Sequence, residues 1–173
     1  DVCSSDLRKF LILAAALLAP VAQAHVSVTP ASAPAGGYVR LAFGITHGCQ
    51  GSATTELVLR LPHEQVLNAR PMPKPGWTLE IERRALAQPY ELHGRRITDS
   101  VAEIRWRGGP LENAHYDEFV IAAKLADGLE APVAFEVLQQ CERGRNDWSG
   151  APGTESPAPR LQVEPVRPAA HSH

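Results

Sequence analysis

Aromatic residues make up only 6% of the chain, and methionine occurs once, as Met72. A flat platform for a glycan polymer is built from many rings, and a thioether site for Cu(I) needs more than one soft ligand. Charge of one sign is lacking too: 17 Lys and Arg stand against 19 Asp and Glu, a net charge of −2. Acids and bases are interspersed, so there is no electrostatic footprint for nucleic acid or an anionic membrane surface. Nothing resembles a nucleophile elbow or a zinc-protease helix, so hydrolysis is not expected and the chain does not read as an enzyme.

Long apolar runs are confined to one place. Arg8 and Lys9 precede the run Phe10 to Ala19, and the small-residue sequence Ala22-Gln23-Ala24 follows. This is the pattern of a secretory signal peptide cut after Ala24. The run is roughly half the ~20 residues a membrane span needs, so no retained span is expected. The mature protein is expected in the periplasm or otherwise exported. Residues 1–7 carry Asp1, Cys3 and Asp6 where a signal peptide should be basic, and read as a non-native extension. Removing residues 1–24 leaves 149 of the 173, ample for one domain with its own core.

Apart from Cys3, only Cys49 and Cys141 are present. In an exported chain such a pair reads as a disulfide, with metal thiolates as the alternative. The hydrophobic period is two rather than 3.6: Val39, Leu41, Phe43 and Ile45 share a face, as do Leu57, Leu59 and Leu61, and Leu79 with Ile81. Further short runs lie at Val101 to Trp106, Phe119 to Leu125, Val133 to Leu138 and Leu161 to Val163, separated by turn signals such as Gly108-Gly109-Pro110. Short strands without an amphipathic helix predict an all-β, single-domain antiparallel β-sandwich, immunoglobulin- or cupredoxin-like, over 25–150. The Pro- and Ala-rich tail 151–173 is expected to be largely extended or disordered, with one final strand near Leu161 to Val163.

Cleavage after Ala24 would make His25 the first residue and place a free α-amine beside its own imidazole. Amine nitrogen and Nδ1 then close a six-membered chelate, which no internal histidine can do. Reference pKa values of about 7.7–8.0 for an α-amine and about 6.5 for imidazole leave both kinds of nitrogen available near neutrality. Two such nitrogens suit Cu(II), the strongest divalent binder in the usual order.

The segment His25-Val26-Ser27-Val28-Thr29-Pro30, with Ala33-Pro34-Ala35-Gly36 after it, resembles the start of the YcnI-like copper-binding domains. So do His47-Gly48-Cys49-Gln50-Gly51-Ser52-Ala53-Thr54-Thr55, Pro71-Met72-Pro73-Lys74-Pro75-Gly76-Trp77, His115-Tyr116-Asp117-Glu118-Phe119, and Gln140-Cys141 leading to Trp148. The resemblance covers nearly the whole mature chain. It implies a β-sandwich that binds one Cu(II) through the amine and imidazole of the N-terminal histidine, with a carboxylate and a nearby Trp. His25 carries over directly, and Trp148 is the counterpart of the family's site tryptophan.

The carboxylate does not carry over. His47, near the expected bridge, His115 and Glu118 are the candidates for the remaining ligands, with Asp117 and Glu56 behind them. Each has a plainer reading, as an exposed loop histidine or a paired surface acid. Trp77 and Trp106 read as core. His171 and His173 form a polar tail or a weak secondary copper site, and His63 and His93 sit in turns.

The leading expectation is an exported copper protein that holds Cu(II) or passes it to a periplasmic acceptor, or receives it from a donor. The alternatives are a copper-dependent oxidative enzyme, with His25 and His47 or His115 as a histidine brace, and a metal-free sandwich that binds a partner protein.

Overall fold

The computed structural model describes residues 25–164. The expected signal peptide, the extension 1–7, and His171 and His173 lie outside the described residues. Twelve strands follow one another among the described residues: β1 (Ser27–Thr29), β2 (Ser32–Pro34), β3 (Tyr38–Ile45), β4 (Thr54–Arg60), β5 (Val66–Pro71), β6 (Trp77–Leu92), β7 (Arg95–Leu111), β8 (Asp117–Leu125), β9 (Val133–Ala134), β10 (Glu136–Cys141), β11 (Arg145–Trp148) and β12 (Arg160–Glu164). No helix of the described residues is long and apolar enough to cross a membrane.

One sheet runs β1-β3-β8-β5 and the other β11-β10-β4-β7-β6, with a small β2-β12-β9 sheet beside them. All pairings are antiparallel except β12 with β2. The period-two faces meet between the sheets. Leu41, Phe43 and Ile45 of β3 and Phe119, Ile121 and Leu125 of β8 pack toward Leu57 and Leu59 of β4 and Ile104 and Trp106 of β7, all essentially buried. Each such side chain contributes ~1.5–3 kcal/mol relative to exposure. Trp77 and Trp106 both meet Phe119 edge to face, at ring separations of 5.1 and 5.5 Å; Trp106 is core as the sequence predicts, while Trp77 is partly buried and packs against the core's edge.

The strands are not all short. β6 and β7 span 16 and 17 residues and turn back on each other through His93 and Gly94, both at positive φ (50° and 73°), a two-residue hairpin connection. β6 is an edge strand exposed along most of its length, with Ile81 itself 48% exposed, so no buried face imposes alternation on its outer half. Gly108-Gly109-Pro110, read as a turn, lies inside β7. There the Trp77 ring approaches so closely that a Cβ on Gly109 would sit 2.5 Å from it. The segment after Gly150 is folded back by hydrogen bonds from Gly150 N to Ser156 O and from Ala158 N to Gly150 O, and delivers Leu161 of β12 to the core.

The outer face of the larger sheet carries a ladder of ion pairs. Arg105 lies between Glu56 (2.5 Å) and Glu103 (2.7 Å), while Arg107 reaches Glu56 and Arg60 reaches Glu103. Partial burial alone would raise both carboxyls. The hydrogen bonds and charges of Arg107 and Arg105 at Glu56, and of Arg105 and Arg60 at Glu103, outweigh it and hold both below the ordinary carboxylate value.

A carboxyl depressed in the folded state leaves the unfolded chain binding more protons as the pH falls. Its stabilisation is therefore present above the unfolded value of about 4.3 and disappears as pH drops through the folded value. Glu56→Gln should lower the urea midpoint at pH 7 and reduce the further loss between pH 5 and pH 3. Equal acid sensitivity in variant and wild type would contradict this assignment.

Candidate metal centre

The N-terminal strand is laid against the end of β3 by register. Ser27 pairs with Gly44 and Thr29 with Ala42, so stepping back from Ser27 to His25 moves along β3 toward Thr46 and His47. His25 and His47 line one recess, together with Gly44, Thr46, Gln139 and Trp148. The His25 ring meets the Trp148 indole edge to face, with centroids 5.9 Å apart. His25 Nε2 is buried and has no hydrogen-bond partner. A buried polar atom left unpaired costs about 1–3 kcal/mol, so its place at the recess calls for an explanation.

His47 sits in the loop between β3 and β4, and the structure shows how that loop is fixed. His47 Nδ1 lies 2.5 Å from Gly48 O. A carbonyl only accepts, so Nδ1 carries the proton in the neutral ring and Nε2 is its basic nitrogen. Gly48 N donates to Asn113 Oδ1 at 3.1 Å. A Cβ on Gly48 would lie 1.7 Å from Ser52 O, so only glycine fits between the histidine and Cys49. Cys49 is bonded to Cys141, with Cα atoms 5.8 Å apart. The thiolate alternative is thereby excluded, because both sulfurs are consumed in the bridge. Cys141 ends β10, whose partner strand β11 ends in Trp148, so the bridge ties the His47 loop to the strand pair that presents the indole.

The acidic candidates are engaged elsewhere. Glu118 pairs in register with Gly44 but takes the Tyr116 hydroxyl on Oε1 (2.8 Å) and faces Arg40 (3.6 Å). That bond to Glu118 is the first cause that pushes the Tyr116 hydroxyl pKa up, with burial and the charges of Glu118 and Asp117 adding to it. Asp117 is paired with Lys74 at 2.6 Å, and Glu56 belongs to the arginine ladder. His115 is exposed in the turn between β7 and β8, where its N–H donates to Glu112 O; Asn113 is the residue of that turn that reaches the His47 loop. Among the described residues no group of three or more His, Cys, Asp or Glu is placed to hold a metal ion. Two histidines thus line the recess, and a metal held there needs a further donor from the main chain.

The sequence reading passed over Gln139. It is 1% exposed, in β10, with its side chain between the His47 loop and Trp148. The signal was available: Val137, Gln139 and Cys141 alternate toward the core, and a glutamine in such a row is an exception to the pattern.

The chain matches the family described as "Domain of unknown function (DUF1775)" over residues 25–163. No curated protein matches it. Among solved structures it is similar to an uncharacterized protein from Nocardia farcinica whose crystal structure reveals an immunoglobulin-like fold. The two are 23% identical with a TM-score of 0.62, over 80% of this chain and 97% of that one. The seventh ScaB type I cohesin from Pseudobacteroides cellulosolvens aligns over 86% of this chain and 97% of its own at 10% identity, with a TM-score of 0.38, too low for any inference. The chain belongs to the DUF1775 family and builds its domain on an immunoglobulin-like β-sandwich.

Proposed function

We propose that this protein is an exported Cu(II)-binding domain of the YcnI-like kind, which holds copper or hands it to or from a partner protein in the periplasm through His25 once cleavage after Ala24 has made it residue one. The observation that carries this reading is the convergence of His25, His47 and Trp148 on one recess at the start of the N-terminal strand. The family match begins at His25 itself, which agrees with a mature chain starting there.

The donor set fits the ion. Two imidazoles and an α-amine would be borderline nitrogen ligands of the type Cu(II) prefers, and among the described residues no carboxylate or thiolate lines the recess, which disfavours hard cations and Cu(I). His47 has the second-shell arrangement usual for a metal-ligating imidazole, Nδ1–H held by a carbonyl. Trp148 supplies an apolar wall that limits water and shields one side of the recess. Copper, when bound, would supply a strongly held charge at this end of the sandwich. Holding and transfer need no catalytic turnover.

Thermal unfolding of the cleaved domain with and without Cu(II) tests the reading. A ligand that binds only the native state, present at ~1,000 times its dissociation constant, adds about 4 kcal/mol. For a domain of this size that raises the midpoint by roughly 8–16 °C. An unchanged midpoint would favour a metal-free, partner-binding sandwich.

A further inference from the structure

The Gln139 side chain lines the recess and makes four hydrogen bonds, two of them to His47 and Trp148, which line it too. Its Nε2 donates to His47 O at 2.7 Å and to Thr54 Oγ1 at 2.8 Å. Its Oε1 accepts from Asn146 Nδ2 at 3.2 Å and from Trp148 Nε1 at 3.4 Å. A carboxamide has two donor hydrogens and two acceptor lone pairs, and all four are used here.

The identities of the partners fix which end of the amide points where. An indole N–H only donates, so it must meet Oε1; a backbone carbonyl only accepts, so His47 O must meet Nε2. A carboxylate would oppose the His47 carbonyl, and an apolar side chain would leave that carbonyl and the indole N–H without these bonds. Only a carboxamide of this length connects both.

We propose that Gln139 is the positioning residue of the metal recess, a buried side chain that hydrogen-bonds both the His47 main chain on one wall and the Trp148 indole on the other. Resting on the copper reading above, this places control of the ligand geometry in a side chain that does not itself touch the metal. Outer-shell groups of this type typically tune metal affinity by ~10–100-fold.

The test uses the cleaved protein and two variants of similar size, Gln139→Glu and Gln139→Met, checked for native circular dichroism. Cu(II) affinity, the electron paramagnetic resonance spectrum and the indole N–H resonance of Trp148 in the metal-free protein are read for each. Cu(II) binding ~10–100-fold weaker, with a changed copper spectrum and a displaced indole resonance, is expected for both. Wild-type affinity and spectrum in a folded variant would overturn the inference while leaving the copper reading intact. No Cu(II) binding by the wild type would overturn both together.

If neither variant folds, the carboxamide protons of Gln139 in the wild type carry the test, with Zn(II) as a diamagnetic ion in the same recess. Their resonances should move on loading, and unmoved resonances would overturn the inference.

Discussion

Replacing His25 with Ala in the cleaved protein should abolish tight Cu(II) binding. The substitution removes the one imidazole that shares a residue with the α-amine, so the six-membered chelate cannot form. If structural metal sites of three or four ligands hold ~10–16 kcal/mol in all, one lost ligand is on the order of 4 kcal/mol. That is about a thousandfold in dissociation constant. The fold should survive, because His25 precedes the first strand and, among the described residues, its ring meets only the Trp148 indole edge to face. Its buried Nε2 has no hydrogen-bond partner to lose. A calorimetric titration that returned wild-type affinity for the Ala variant would show that copper, if bound, sits elsewhere.

The second large effect concerns the bridge. Cys49→Ala with Cys141→Ala removes a cross-link between residues separated by 92 positions. In the chain-entropy model a loop of that length contributes about 4–5 kcal/mol. Whole domains are stable by only about 5–15 kcal/mol, so the double variant should lie near its unfolding threshold. Denaturant midpoints of wild type and variant measure the loss, and a difference under about 1 kcal/mol would contradict the expectation. The damage should also reach the recess. Cys49 follows His47 by two residues and Cys141 follows Gln139 by two, so the bridge and the Gln139 amide clamp the same two segments together.

Most of the sandwich was legible because its inner faces alternate in sequence. Leu41-Phe43-Ile45 and Leu57-Leu59 announce strands, since a strand buried on one face repeats its apolar residues every second position. The outer half of the β6–β7 hairpin was not legible. Its residues Arg83 and Asp99 pair with each other on a ribbon where only Leu86 of β6 is buried, and hydrophobic patterning says little where no continuous face is covered. Gly108-Gly109-Pro110 misled for a related reason: glycine marks close approach as well as turns, and here the close neighbour is the Trp77 ring.

The candidate site was legible in its histidines and tryptophan. Their chemistry is carried by residue type, and the Cys49–Cys141 pair hinted that His47 and the Trp148 segment are tied together. Its ordering of the acids was not legible. Whether Glu118 faces a metal or Arg40 depends on cross-strand neighbours set by register, with Gly44 opposite Glu118 and Tyr116 folded over it. Gln139 was hidden by its neighbour: in the pair Gln139-Gln140 one side chain faces the core and the other is only partly buried, and only the strand phase tells them apart.

The most direct test of the central claim is a Cu(II) titration, followed by electron paramagnetic resonance, of protein beginning at His25 beside the same protein with one extra residue before it. The extension leaves every side chain in place and changes only where the free amine lies. Stoichiometric binding with a nitrogen-rich axial signal in the first form, and its loss in the second, is the predicted result. Equal binding in both forms, or none in either, would contradict a copper site built on the N-terminal histidine.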